Sequence, residues 1–147
     1  SDPYSAKTVF RSVAPKLMIP PEVTEKVKFD MGFTKQLPSA TTRAGRLLRH
    51  VIPFSFRAYH QHMGLESLQI PDAVALLAAI HPELFEIKTM TGDIETQGEL
   101  TVGATVFDHR PSSNWGYPLD VALQVDTVAA KDCIIRSLLA AGKQSSL

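Results

Sequence analysis

A single cysteine, Cys133, among 147 residues leaves no internal disulfide framework and fits a reducing compartment, so a cytoplasmic location is the expectation. Fifteen basic and fifteen acidic residues cancel, and neither sign forms a block. That balance lacks the electrostatic footprint of a nucleic-acid or acidic-membrane binder. The longest apolar run, residues 73–80, is far short of the roughly 20 residues a membrane-spanning helix needs. Zinc-ligand spacing, a glycine-rich dinucleotide loop and a serine nucleophile elbow are all missing, and Gly98 and Gly103 are too sparse to cradle a phosphate. Internal repeats, low-complexity tracts and a signal peptide are missing as well. By chemistry alone the chain holds no complete catalytic set. Its length is that of one domain, enough to bury roughly 68–70% of its unfolded surface.

What is there is organised around residues 68–82. Pro71 suits the first position of a helix, where its missing N–H costs nothing. The following Ala73–Ile80 run is apolar on every side, which predicts a buried helix. His81 precedes Pro82 and is pushed out of the helical region, so the helix ends there. Asp72 is the one carboxylate at its mouth. It must be solvated, hydrogen-bonded or bound to a cation. Two readings stay open: a ligand-binding or metal-binding carboxylate, or an acid bonded to the free N–H groups of its own first turn.

Upstream, Asp2-Pro3 predicts a helix start with Asp2 as N-cap and an apolar stripe at Ala6, Val9, Phe10 and Val13, closed by Pro15. Lys16–Ile19 reads as a short strand stopped by Pro20-Pro21. Helix then strand is half of an α/β unit, as though the sequence begins in mid-fold. Residues 22–40 are weakly patterned, with Thr24 a candidate cap. Ser39 to about Met63 reads as mostly helical, with Ala44, Leu47, Leu48, Val51 and Ile52 on one face, broken or kinked at Pro53 and ended by Gly64. Downstream the period falls toward 2. Glu86–Glu95 and Ala104–Asp108 read as a hairpin, residues 110–118 as a loop, and Leu119–Val125 as a strand with Val121, Leu123 and Val125 facing one side. A last helix is capped by Asp126 or Thr127, carries Ile134, Ile135, Leu138 and Leu139, and stops at Gly142, with the tail from Lys143 frayed.

The remaining candidates each have a plainer alternative. His60 and His62 are two apart, on different helix faces, so they cannot grip one metal together. Arg57, Tyr59, His60 and Met63 could line a cleft where planar rings stack on a base-like ligand, or could form a half-exposed amphipathic turn. Asp108-His109-Arg110 is a charged cluster or a salt-bridged surface loop. Cys133 sits among apolar helix positions and reads as core.

Taken together, several stretches resemble the C-terminal half of the inosine-uridine nucleoside hydrolase family. Asp2-Pro3-Tyr4-Ser5-Ala6 is similar to the family's Asp-Pro-x-Ala-Ala helix. Pro71-Asp72-Ala73-Val74-Ala75, followed by His81-Pro82-Glu83-Leu84-Phe85, resembles its His-Asp-Pro-x-Ala helix and the Asp-Pro-x-x-Phe after it. Residues 93–108 resemble its strand-turn-strand segment, and Asp120–Asp126 with the last helix also fit. The resemblance implies a mixed α/β fold, a mostly parallel sheet flanked by helices, with residues 1–147 forming its C-terminal portion and the N-terminal portion absent. It implies hydrolysis of the N-glycosidic bond of ribonucleosides, with calcium gripping the ribose and a metal-bound water attacking. Asp72 matches the family's C-terminal calcium ligand. Tyr59 matches a position near the base-binding lid, with Met63 as a further substrate contact. The partners implied are a nucleoside, the missing N-terminal portion and a homo-oligomer.

Two departures shape the expectation. The family's N-terminal aspartate cluster and its Glu-Phe-Asn stretch have no counterpart here. The histidine beside the calcium aspartate, a leaving-group acid in some members, aligns with Pro71, so either Tyr59 or His60 is the candidate proton donor or the leaving group departs without one. This chain alone is therefore expected to be inactive. The alternatives are a non-catalytic nucleoside- or ribose-binding module on the same fold, which Pro71 favours, and a purely structural fragment.

Overall fold

A computed structural model of the chain describes residues 2–110 and 115–144. In chain order the elements are α1 (Pro3–Arg11), β1 (Leu17–Met18), α2 (Pro21–Thr24), β2 (Lys28–Phe29), α3 (Arg43–Met63), β3 (Leu68–Gln69), α4 (Pro71–Ile80), β4 (Phe85–Ile94), β5 (Thr105–Asp108), β6 (Tyr117–Val125) and α5 (Thr127–Gln144), with 3₁₀ turns at Met31–Gln36 and Pro82–Leu84. They fall into two packed units, Ser1–Pro20 with Glu86–Gln124, and Pro21–Phe85 with Val125–Leu147.

The first unit is built on a mixed sheet of order β1-β6-β4-β5. β1 and β6 are parallel, with Leu17 opposite Asp120; β4 and β5 are antiparallel, with Thr91 opposite Asp108. Gln124 donates to Glu86 and Thr89 to Asp120, a reversed order of partners that makes β4 and β6 antiparallel too. Met90, Leu119 and Val121 form the core, against which Phe10, Met18 and Phe107 pack. α1 starts as its sequence predicts: the Asp2 carboxylate accepts from the Ser5 N–H at 3.1 Å. It ends at Arg11, two residues before Val13, and Val9 and Val13 are exposed, so only Phe10 of the expected stripe reaches the core. β6 starts at Tyr117, inside the stretch read as loop; residues 111–114 of that stretch lie outside the described residues. Leu123 is exposed although Val121, two residues earlier, is buried.

The second unit is helical apart from the β2–β3 pair, in which Phe29 faces Leu68. Val23, Val27 and Val74 are almost completely enclosed, each burial worth roughly 1.5–3 kcal/mol. Phe29 and Phe33 add a tilted ring pair with centroids 4.3 Å apart. α4 packs on α2 and α5, and α5 also meets α3. Thr24 ends the single turn of α2, its hydroxyl donating back to the Pro21 carbonyl, so it is not the cap read from sequence. Thr42 caps α3 by accepting from the Gly45 N–H at 3.0 Å, and Gly64 ends it at φ +67°. α3 runs unbroken through Pro53, which removes one backbone bond without ending the helix. Asp126 caps α5 through the N–H groups of Val128 and Ala129. Gly142 is a buried residue inside α5 rather than its stop: an added Cβ would lie 2.5 Å from Pro38 Cβ.

Candidate functional site

β3 feeds directly into α4, and this junction sets the position of Asp72. Ile70 is the N-cap, its carbonyl accepting from the N–H groups of Ala73 and Val74, while no side chain caps the helix. Pro71 takes the first helical position, Asp72 the second, and the helix ends at His81 as its sequence requires. Only one face is enclosed, that of Val74, Leu77 and Ala78. Leu76 and Ile80 are 62% and 60% exposed, which corrects the expectation of a helix buried all round. Continuous apolarity sets which residues can be buried; the elements packed on the helix set which are.

Asp72 is exposed, and its carboxylate has no hydrogen bond or ion pair among the described residues. The bond to its own first turn, the plainer alternative for this acid, is not made. Its oxygens are free for an outside partner.

Tyr59 supports the same junction from α3. Its hydroxyl donates to the Gln69 carbonyl at 3.2 Å, holding the chain three residues before Asp72. A tyrosine so placed orients the approach to α4, and its proton is committed to a backbone oxygen.

The last turns of α3 line one side of an open cleft of about 220 Å³, formed by Met31, Phe56, Arg57, His60, Gln61, Leu65 and Glu66. Phe56 is buried, while His60 Nδ1 lies 3.0 Å from Glu66 Oε1. Both side chains are largely exposed, and the pair sits at the rim of the cleft. The structure thus brings His60 and Arg57 into one cleft. It does not bring Tyr59, Met63 or Asp72 into its lining. Met63 is exposed at the end of α3. Met31, Leu65 and Glu66 escaped the sequence reading; the Asp30 side chain that bonds the Gly32 N–H and opens the 3₁₀ turn was the one available signal for Met31.

Elsewhere the plainer alternatives hold. Arg110 grips Asp108 through Nε and a terminal nitrogen, 2.7 Å at the closest, a salt-bridged surface turn. His81 pairs with Glu83 at 2.9 Å. Cys133 is half-buried in α5, so it is not the core residue that its apolar neighbours predict.

Calcium binds six to eight hard oxygens. Among the described residues no group of three or more histidine, cysteine or acidic side chains is placed to hold a metal. Asp72 has the right chemistry for one ligand, a free carboxylate at the surface.

The mixed α/β architecture is the fold that the sequence resemblance implies. The model of the inosine-uridine preferring nucleoside hydrolase family matches residues 1–132, and the chain belongs to that family. A non-specific ribonucleoside hydrolase, RihC, of Salmonella paratyphi A is 31% identical over 125 residues, 85% of this chain and 40% of that protein. A purine-preferring ribonucleoside hydrolase from Gardnerella vaginalis superposes with a TM-score of 0.86 at 26% identity, over 97% of this chain and 45% of the other. A plant nucleoside hydrolase, PpNRh1, shares the fold at a TM-score of 0.82 and 21% identity, over 95% and 46%. The chain therefore spans less than half the length of these relatives. No helix of the described residues is long and apolar enough to cross a membrane.

Proposed function

We propose that the chain is the C-terminal portion of a hydrolase that cleaves the N-glycosidic bond of ribonucleosides, active only with the N-terminal portion of the fold. The observation that carries this reading, given the family, is the unengaged carboxylate of Asp72 at the mouth of α4. An acid that serves neither as a cap nor in an ion pair is available as a ligand. Calcium, when bound, supplies a Lewis acid that orients the ribose and acidifies a water.

This chain's residues contribute three things to that chemistry. Asp72 offers one hard oxygen ligand. Tyr59, through Gln69, fixes the segment that presents it. His60, beside Glu66 in a cleft of nucleobase dimensions, can hold a proton for the departing base, the role that Pro71 cannot fill. Phe56 and Leu65 give that cleft apolar walls, and Arg57 and Gln61 give it polar contacts.

Pro71 favours a second reading, a ribose- or nucleoside-binding module that kept the fold without turnover. Ribose release from purine, pyrimidine and nicotinamide nucleosides, measured on the protein that joins this chain to the rest of the hydrolase fold, separates the two. Release supports the hydrolase; saturable binding without release selects the binding module.

A further inference from the structure

We propose that the nucleoside taken by this fold carries a pyridinium base bearing a ring carboxylate; the proposal rests on the reading that the base occupies the cleft at the end of α3. Gly64, in the left-handed region at φ +67°, turns the chain back on the helix it ends. Its N–H donates to the His60 carbonyl, and the Leu65 N–H donates to that of Tyr59. Glu66 is thereby folded against the last turn of α3, with one carboxylate oxygen 3.0 Å from His60 Nδ1. Arg57 stands three residues before His60 on the same helical face, and it lines the same cleft. Among the described residues Arg57 has no hydrogen bond or ion pair, and the second oxygen of Glu66 has no partner. The cleft therefore holds a guanidinium and a carboxylate that do not neutralise each other, beside the apolar walls of Phe56 and Leu65.

Charge decides which base suits that lining. A neutral purine or pyrimidine leaves both charges facing uncharged ring edges. A pyridinium with a carboxamide gives Glu66 a counter-charge but sets a second cation beside Arg57. A pyridinium with a carboxylate answers both. Its cationic ring is balanced by Glu66, and its carboxylate matches the planar fork of Arg57. The same base suits Pro71, which offers no proton at the mouth of α4. When water adds to C1′ of the ribose and the C1′–N bond breaks, the bonding pair returns to the ring nitrogen and cancels its positive charge. The water gives up one proton, and the base leaves without receiving any. Neutral bases draw on His60; this one does not.

The test measures ribose release from, and equilibrium binding of, nicotinate riboside, nicotinamide riboside and inosine, on the protein that joins this chain to the rest of the hydrolase fold. Nicotinate riboside is expected to show a kcat/KM at least about tenfold above each of the others. Arg57→Gln should raise its KM by about tenfold and close the gap to nicotinamide riboside, while Arg57→Lys, which keeps the charge and loses the fork, should restore only part of the difference. Glu66→Gln should weaken both pyridinium nucleosides relative to inosine by about threefold. Inosine cleaved as well as nicotinate riboside, or a preference that survives Arg57→Gln, overturns the proposal and leaves the hydrolase reading standing. No release from any of the three removes the hydrolase reading, and binding then decides the proposal. Tighter binding of nicotinate riboside that Arg57→Gln abolishes sustains it; equal binding of the three overturns it.

Discussion

The Tyr59 hydroxyl donates to the Gln69 carbonyl at 3.2 Å, and three residues further on stands Asp72. This bond ties the end of α3 to the strand that enters α4, so the placement of the acid depends on a side chain thirteen residues before it. Tyr59→Phe removes the bond and keeps the ring. It should cost about 1 kcal/mol in thermal or urea unfolding. In the protein with the whole fold it should also weaken calcium binding by a few fold. A stability loss with no change in calcium affinity would restrict Tyr59 to packing.

In the other unit, Asp93 on β4 receives Arg11 of α1 at 2.9 Å and Lys7 at 3.6 Å, with only 16% of its side chain exposed. Burial opposes its charge, but the Arg11 hydrogen bond, the Ile94 N–H and the two cations outweigh it and hold the carboxyl below its ordinary value of 3.8. A carboxylate depressed in the folded state contributes stability above its unfolded pKa, and that contribution is lost as pH falls through the folded value. Melting curves from pH 7 down to pH 2 should show Asp93→Asn less stable than the parent at neutral pH, with the gap closing below about pH 4. A gap independent of pH would mean that the ion pair is not the source.

Gly45 sits where α3 leaves its cap. An added Cβ there would lie 1.9 Å from the Ser39 carbonyl oxygen, a backbone atom that cannot step aside. Gly45→Ala should therefore destabilise by about 1–3 kcal/mol despite alanine's better helix propensity. A neutral or stabilised variant in chemical denaturation would show that the Ser39–Thr42 turn is free to shift.

The sequence resemblance aligns Pro71 with a histidine of the family. Pro71→His would restore a proton donor beside Asp72. For nucleosides with poor leaving groups, kcat in the complete protein should rise at least about tenfold, within the range general-acid help supplies. Activated nucleosides, which need no protonation, should be little affected. A uniform gain or no gain across both would remove leaving-group protonation from that position.

Local signals were readable from the sequence. Pro71, His81-Pro82 and Gly64 act on their own backbone, and they set the bounds of α4 and the end of α3 where expected. The hairpin of β4 and β5 was readable for the same reason. Burial was not, because it depends on distant chain. Leu76 and Leu123 look like core by pattern and are exposed, whereas Gly142 looks like a stop and is a contact with Pro38, more than a hundred residues away. At the candidate site, Asp72 was legible as an acid with no obvious partner, and His60 as a polar group in an aromatic turn. The cleft was not, since Met31, Leu65 and Glu66 come from a turn and a loop without periodicity.

The most direct test of the account is calcium titration by calorimetry of the protein that joins this chain to the rest of the hydrolase fold, in its native form and as Asp72→Asn. Among the described residues Asp72 makes no hydrogen bond, so the substitution should leave stability within about 0.5 kcal/mol. Loss of a charged oxygen ligand should weaken calcium binding by about a hundredfold or more. An unchanged isotherm in Asp72→Asn, or no calcium binding by the native protein, would contradict it.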